Sequence, residues 1–419
     1  MYNKKKSSLT FLYILIFVIT FCPIIGAWFP FFARTWIFYL LGSLISVLLI
    51  PQFYSSRIFF ALLVYSIIVL LKALIGNSYF SSTSMAISSS VEMIFAISVM
   101  FYLVKYRDEE LMGRFVLATL AILTVLTVGT YLAENFYPGA VRYVAHLVST
   151  GEMDALGVTL MRFGMTNYSL PHALPILIPP LIGGLKNKQL KIKYKVLCAA
   201  ILTACMAIIF LAGAATPVML SIALFVLSFF IKPTRKQNTT FMVFLFFVAI
   251  IIVFRQEFGQ LLVSIGGDSQ SEGAGFSIST RVSEIGNYLV TGEEGEDLEG
   301  RSGHYDTTIS SLFENVIWGT DKVGGHSAIL DRFALLGIVG FTPWIVAIIM
   351  SLKKLYRIFK GRKGLPFFTA GVMSAVIMMM AKNMASFAMW FTLFVLLPVF
   401  MRFCDADERF RVFGEKSRF

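Results

Sequence analysis

Long, almost uncharged apolar runs alternate with short polar or basic connectors from one end of the chain to the other. The runs are continuous rather than alternating, so they predict helices and not the strands of an outer-membrane barrel. A helical span takes about 20 apolar residues. On that measure twelve spans are predicted, at 9–30, 36–52, 58–76, 85–104, 115–134, 168–185, 196–213, 214–231, 239–254, 327–350, 365–381 and 385–403. The break between the seventh and eighth rests only on Gly213 to Pro217. Lys4, Lys5 and Lys6 precede the first run, which is too long for a signal peptide and has no small-residue cleavage site after it. A retained signal anchor is predicted there. The expected fold class is all-α, a polytopic helical membrane protein forming a single integral membrane domain over residues 1–419.

Composition excludes the alternatives. The chain is 57% hydrophobic and 14% charged, where soluble domains carry about a quarter charged residues. That rules out a soluble enzyme, a DNA-binding protein and a disordered chain. The net charge of +12 is topogenic: with the N-terminus inside, the inner segments hold 26 of the 36 Lys and Arg residues. This obeys the positive-inside rule, puts both termini in the cytoplasm and gives no reason to expect nucleic acid as a partner. Two long segments then face outward, 135–167 and 255–326, and the four histidines lie on that side or at its edge. Cys22, Cys198, Cys205 and Cys404 fall in spans or at the inner end, without disulfide or zinc spacing. No metal ligand set or cofactor motif is found.

The first outer segment has an apolar face at Val141, Val144, Ala145 and Val148, with Arg142 and His146 on the other. Part of it is expected to lie along the membrane surface, where lipid headgroups would account for that polar pair. Arg162 stands just before a turn marked by Gly164 and Asn167. A guanidinium there can fork onto a phosphate at headgroup level, or simply anchor to lipid.

The second segment is too long for a connector. Arg281, Glu284 and Tyr288 line one side of a short helical pattern. The acids of EEGEDLEG lack the calcium-loop pattern, so a solvated loop is expected at 293–300. Arg301, His304, Tyr305 and Thr308 then share one side of a helix, with Ile309, Leu312 and Phe313 as its expected buried stripe. Gly319, Gly324 and Gly325 free the backbone before His326, and Ser327 is the expected N-cap of the next span. The positive end of a helix dipole disfavours imidazolium, so His326 should be neutral, as a general base requires; helix capping is its other reading. Asp331 and Arg332, just inside that span, could line an outward-opening cavity with His326, while Lys72 and Glu92 are expected to pair.

Outward arginines beside a membrane suit a lipid-linked diphosphate. Breaking its bond to sugar puts negative charge on the departing diphosphate, so arginines aimed there lower the barrier. A base on the acceptor hydroxyl completes a direct, inverting displacement without metal.

The run from Arg301 through FENVIWGTDKVGGHSAILDRFALLGIVGF resembles the signature loop of the O-antigen polymerase and O-antigen ligase superfamily. That pattern has an arginine opening an outer helix, a glycine turn, and Gly-His before a span with Gly-hydrophobic-hydrophobic-Gly. The stretch MRFGMTNYSLPHALPILIPPLIGG resembles the family's arginine–glycine–asparagine entry to a span. The resemblance implies a multi-pass glycosyltransferase of the bacterial cytoplasmic membrane, its active site facing the periplasm or exterior. Its donor would be an undecaprenyl-diphosphate-linked oligosaccharide, used to lengthen lipopolysaccharide or capsule chains, with a chain-length regulator as a further candidate partner. By position Arg281 or Arg301 and His326 match the catalytic groups, and Arg162 an earlier arginine. His304, Tyr305, Arg142, Arg332 and Asp331 are the further candidate substrate contacts. Many members carry Ser-Arg-Gly where this chain has AGAATPVML, Ala212–Leu220, so that arginine is lost or moved. A polymerase is the leading expectation and a ligase its nearest rival. A flippase or transporter, expected to show repeated halves and discontinuous helices, and a membrane scaffold are the alternatives from other classes.

Overall fold

The computed structural model describes residues 2–75, 83–150, 153–232, 255–266 and 296–404, with isolated positions between 283 and 290. Every regular element among them is helical. In chain order these are α1 (Tyr2–Phe21), α2 (Pro23–Trp28), α3 (Thr35–Leu49), α4 (Pro51–Tyr54), α5 (Arg57–Leu74), α6 (Thr83–Tyr106) and α7 (Glu109–Phe136). They continue as α8 (Ala140–Thr150), α9 (Ala155–Arg162), α10 (Ser169–Ala173), α11 (Ile178–Lys186), α12 (Ile192–Leu211), α13 (Ala215–Phe230) and α14 (Arg255–Gly266). The last are α15 (Glu296–Glu314), α16 (Ala328–Phe359), α17 (Leu365–Ala381), α18 (Phe387–Phe391) and α19 (Leu397–Cys404), the latter two joined by a π-helical turn at Thr392–Leu396.

Among the described residues, six helices are long and apolar enough to cross a membrane: Arg57–Leu74, Ile87–Tyr106, Glu109–Phe136, Ile192–Leu211, Ala328–Phe359 and Phe387–Cys404. Shorter apolar helices lie at Thr10–Phe21, Thr35–Leu49, Ala215–Phe230 and Leu365–Ala381. On α5, Phe60, Leu63, Ile67, Leu71 and Leu74 are all exposed. Such a contiguous apolar face would be a liability in water and is at home in lipid. The chain is a helical membrane protein.

Phe387–Cys404 is buried along its whole length and forms a central pillar. α6, α7, α11 and α17 pack around it, and Phe391 stacks on Phe17 with ring centroids 5.0 Å apart. The 385–403 run is therefore surrounded by protein rather than lipid. Two other runs depart from expectation. The 9–30 run breaks at Cys22, because Pro23 disfavours helix in the residue before it. The 168–185 run is not one helix: Pro171, Pro175, Pro179 and Pro180 divide it into α10, a 3₁₀ turn and α11. Each proline removes a helical donor, and the segment persists because Leu170–Ile182 is almost wholly buried among its neighbours. The break at Gly213 is as expected, with φ +64°. The 239–254 run lies outside the described residues.

Candidate active site

α15 begins at Glu296, so the acids placed in a solvated loop at 293–300 partly form a helix N-terminus instead, where negative charge is favoured by the dipole. The helix also turns the other way from expectation. Thr308 and Ser311 are buried, while Ile309 and Phe313 are 44% and 77% exposed. With Ile317 and Trp318 they form an apolar ridge on the surface. In a membrane the surroundings are as apolar as the core, so burial goes to the polar groups that need partners.

Those partners come from the start of α16. Thr308 Oγ1 donates to Asp331 Oδ1 at 3.0 Å and accepts from the Gly324 N–H at 2.8 Å. The other Asp331 oxygen accepts from the Ser327 N–H at 3.1 Å. Ser327 is the N-cap, its hydroxyl accepting from the Leu330 N–H at 3.3 Å. Asp331 is 1% exposed, and its carboxylate ties α15, the glycine loop and α16 together. His326 is half-buried immediately before the cap.

A second set of bonds joins this corner to the end of α17, where the last carbonyls have no helical partner. Tyr305 donates to the Met380 carbonyl at 3.0 Å and Ser327 to the Met379 carbonyl at 3.5 Å. The Ala328 N–H donates to the Lys382 carbonyl at 3.1 Å. One helix's orphan acceptors are thus capped by the neighbouring corner's donors.

The third tie is a backbone dock. α16 kinks at Gly337, φ +57° and ψ −171°, and the Ile338 and Val339 N–H groups donate to the carbonyls of Val316 and Ile317 at 2.9 and 3.2 Å. The Thr320 N–H returns a bond to the Ala334 carbonyl at 2.7 Å. Only glycine fits here, since a β-carbon at 337 would stand 2.2 Å from the Ile317 oxygen.

The charges within spans pair differently from expectation. Lys72 donates to the Gly319 carbonyl at 3.3 Å, closing the loop from the α5 side. Glu92 accepts from Ser88 at 2.8 Å, and Arg332 acts on it electrostatically. Arg332 is 6% exposed and donates to the Tyr65 hydroxyl at 2.9 Å. The expected pairing of Lys72 with Glu92 is therefore not what holds Lys72, whose ammonium reaches toward the loop instead.

The outer-segment arginines sit elsewhere. Arg162 ends α9, exposed, with its guanidinium over the Trp28 ring at 5.0 Å and its Nε 3.5 Å from the Ala27 carbonyl. Arg142 on α8 donates to the Gly213 carbonyl, capping the turn between α12 and α13. Arg281 lies outside the described residues; Arg301 and His304 fall within α15. Near Arg142, the Tyr143 hydroxyl donates to Asp154, the N-cap of α9. That bond and the Gly157 N–H hold the Asp154 carboxyl below its usual range, and the same pairing raises Tyr143.

Sequence reasoning missed one group. His172 on α10 is fully buried; its Nδ1–H donates to the Tyr168 carbonyl at 2.8 Å, and its Nε2 has no hydrogen-bond partner among the described residues. Lys382 acts on it electrostatically. The signal was available: a histidine between two prolines marks a broken span, where an intramembrane ionisable group is a functional candidate. The chain matches no family model, no curated protein and no solved structure, so the functional reading rests on this geometry and on the sequence resemblance.

Proposed function

We propose that the protein is a polysaccharide polymerase of the bacterial cytoplasmic membrane, joining lipid-diphosphate-linked oligosaccharide repeat units on its outer face. In this reading the chain has twelve spans with both termini inside. The observation that carries it is the His326 corner: a half-buried histidine on a loop fixed by Thr308, Asp331 and Lys382, flanked by the apolar ridge Ile309, Phe313, Ile317 and Trp318. The ridge offers a landing for the donor's lipid, and helical spacing puts position 301 on the stripe of 305 and 308.

His326 removes the proton from the acceptor hydroxyl. The oxygen attacks the anomeric carbon, the carbon–oxygen bond to the diphosphate breaks, and the diphosphate leaves with the electron pair. Configuration inverts. Arg301 and Arg281 stabilise the departing charge, which grows through the transition state; Arg162, at the edge of the Trp28 segment, holds donor phosphate. His304, Tyr305, Arg332 and Asp331 are the further substrate-side groups of this reading. Arg142 fits this reading too: its guanidinium stands at Gly213, inside the stretch where the resembling family carries its own arginine.

A second reading, transport of a lipid-linked oligosaccharide, is favoured by the discontinuous elements. α10 packs on α18, and the buried His172 lies where the two broken segments meet, as in transporters. Reconstitution with the lipid-linked repeat unit separates the two. A product ladder from wild type and none from His326→Ala supports the polymerase and its base. Substrate crossing the bilayer without a bond formed supports transport and overturns the polymerase.

A further inference from the structure

α16 leads away from the His326 corner over 32 residues, through its kink at Gly337, to Phe359. There a cavity of about 400 Å³ opens between α11, α17 and α19. Its floor is apolar, formed by Pro180, Phe367 and Met401, and its rim is cationic, with Lys186, Lys188 and Lys363. The three lysines are not equivalent. Lys186 is committed to the end of α13, where its ammonium donates to the carbonyls of Ser228, Phe229 and Ile231 at 2.7 to 3.3 Å. Lys188 and Lys363 are exposed, and no described residue pairs with either ammonium. α17 also opens here without a side-chain cap, adding the positive end of its dipole to the rim.

A free anion would need only the rim, and an apolar ligand only the floor. A cavity that is apolar inside and cationic at the level where spans end matches an amphiphile lying upright in the leaflet. Basic pockets between transmembrane helices hold anionic headgroups for this reason, and the volume falls in the range of small-molecule sites.

We propose that this cavity binds the phosphate headgroup of an anionic phospholipid, with Lys188 and Lys363 as the phosphate contacts and Phe367 and Met401 under its glycerol backbone. The inference rests on the membrane-spanning reading and is independent of glycosyl transfer, so either can fail alone. Bound lipid would bridge the 186–191 and 360–364 connectors and hold α11 and α17 against the pillar.

The test is titration of the purified, delipidated full-length protein with phosphatidylglycerol, counting retained lipid by native mass spectrometry. Phosphatidylcholine with the same chains and inorganic phosphate serve as separate arms. Phosphatidylglycerol should be retained, phosphatidylcholine should not, and K188Q/K363Q should weaken binding roughly 30-fold, as expected for the loss of two lysine charges near a membrane surface. K188R/K363R, which keeps the charge, should bind as the parent does and controls for folding. Unchanged affinity in K188Q/K363Q would overturn the proposal. So would equal retention of phosphatidylcholine, or full competition by inorganic phosphate, which would make this a free-anion site. The chain's acids Asp405, Asp407 and Glu408 follow directly on Cys404. If neutralising them tightens lipid binding as much as the lysine variant loosens it, the chain's own C-terminal segment is the occupant and the lipid assignment is wrong.

Discussion

Substituting Gly337 by alanine tests the backbone dock that positions the candidate catalytic loop. The residue's φ of +57° and ψ of −171° fall in a region essentially reserved for glycine, costing about 1–3 kcal/mol for any other residue. The added carbon would meet the Ile317 oxygen at 2.2 Å and the Gly319 nitrogen at 2.6 Å. Either the helix absorbs that overlap, at about 1–3 kcal/mol, or the loop withdraws and gives up the bonds from Ile338 and Val339 and that from Thr320, about 1 kcal/mol each. These two routes are alternatives, so the penalty is about 2–6 kcal/mol, centred near 4. Gly325→Ala is the control. Its φ is +76° with open space around the position, so only the left-handed backbone is penalised, at about 1–2 kcal/mol. The assay is hydrogen exchange of the Thr320, Ile338 and Val339 amides in detergent. A gap of about 2–3 kcal/mol between the variants corresponds to exchange roughly 30- to 150-fold faster in Gly337→Ala. Equal exchange in the two variants would refute the dock, and ladder synthesis should fall with loop opening.

Other expectations test separate parts of the fold. Cys198 and Cys404 hold their sulfurs 3.7 Å apart although 206 residues separate them, with Gly184 leaving the space between α11 and both thiols. Mild oxidation should join them, and a peptide pair linked through these two cysteines, found by non-reducing digestion and mass spectrometry, would confirm α12 against α19; its absence under conditions that oxidise Cys22 would count against that packing. The Asp154 carboxyl is held low chiefly by Tyr143. A depressed carboxyl contributes stability above its unfolded value that is lost as pH falls through the folded one. In Tyr143→Phe, protection of the Gly157 amide should therefore be lost at a higher pH than in the parent; coincident profiles would remove Tyr143 from the cap.

The sequence made much of this architecture readable because apolar runs and caps are local. Ser327 could be named as a cap from its place before an apolar run, and the Gly213 break from the glycine and nearby proline. The direction in which α15 faces was not legible, because apolar periodicity says which face is distinct but not whether protein or lipid lies against it. Thr308 went inward since Asp331, a residue from another helix, was waiting there, and Ser311, also buried, bonds back to the Thr308 carbonyl. The pairing of Lys72 with Glu92 was misread for a similar reason: the Gly319 carbonyl, on a loop distant in sequence, claims the Lys72 ammonium. His172 was passed over because the run around it read as one span, although four prolines made that helix impossible.

The capping of α17 by residues that precede it has a consequence for biosynthesis. Tyr305 bonds an acceptor 75 residues further on, and Ser327 one 52 residues further on. A ribosome that has released α16 into the membrane has therefore made the His326 loop but not the carbonyls that fix it. At about 5–20 residues per second, roughly 1 to 5 seconds pass before Met379, Met380 and Lys382 follow, and the pillar at 387–404 comes later still. The corner is thus among the last parts of the molecule to be completed. A chain stopped short of α17 would insert most of its helices yet hold this corner only through its Asp331 contacts and the Gly337 dock, without the Met379, Met380 and Lys382 carbonyls.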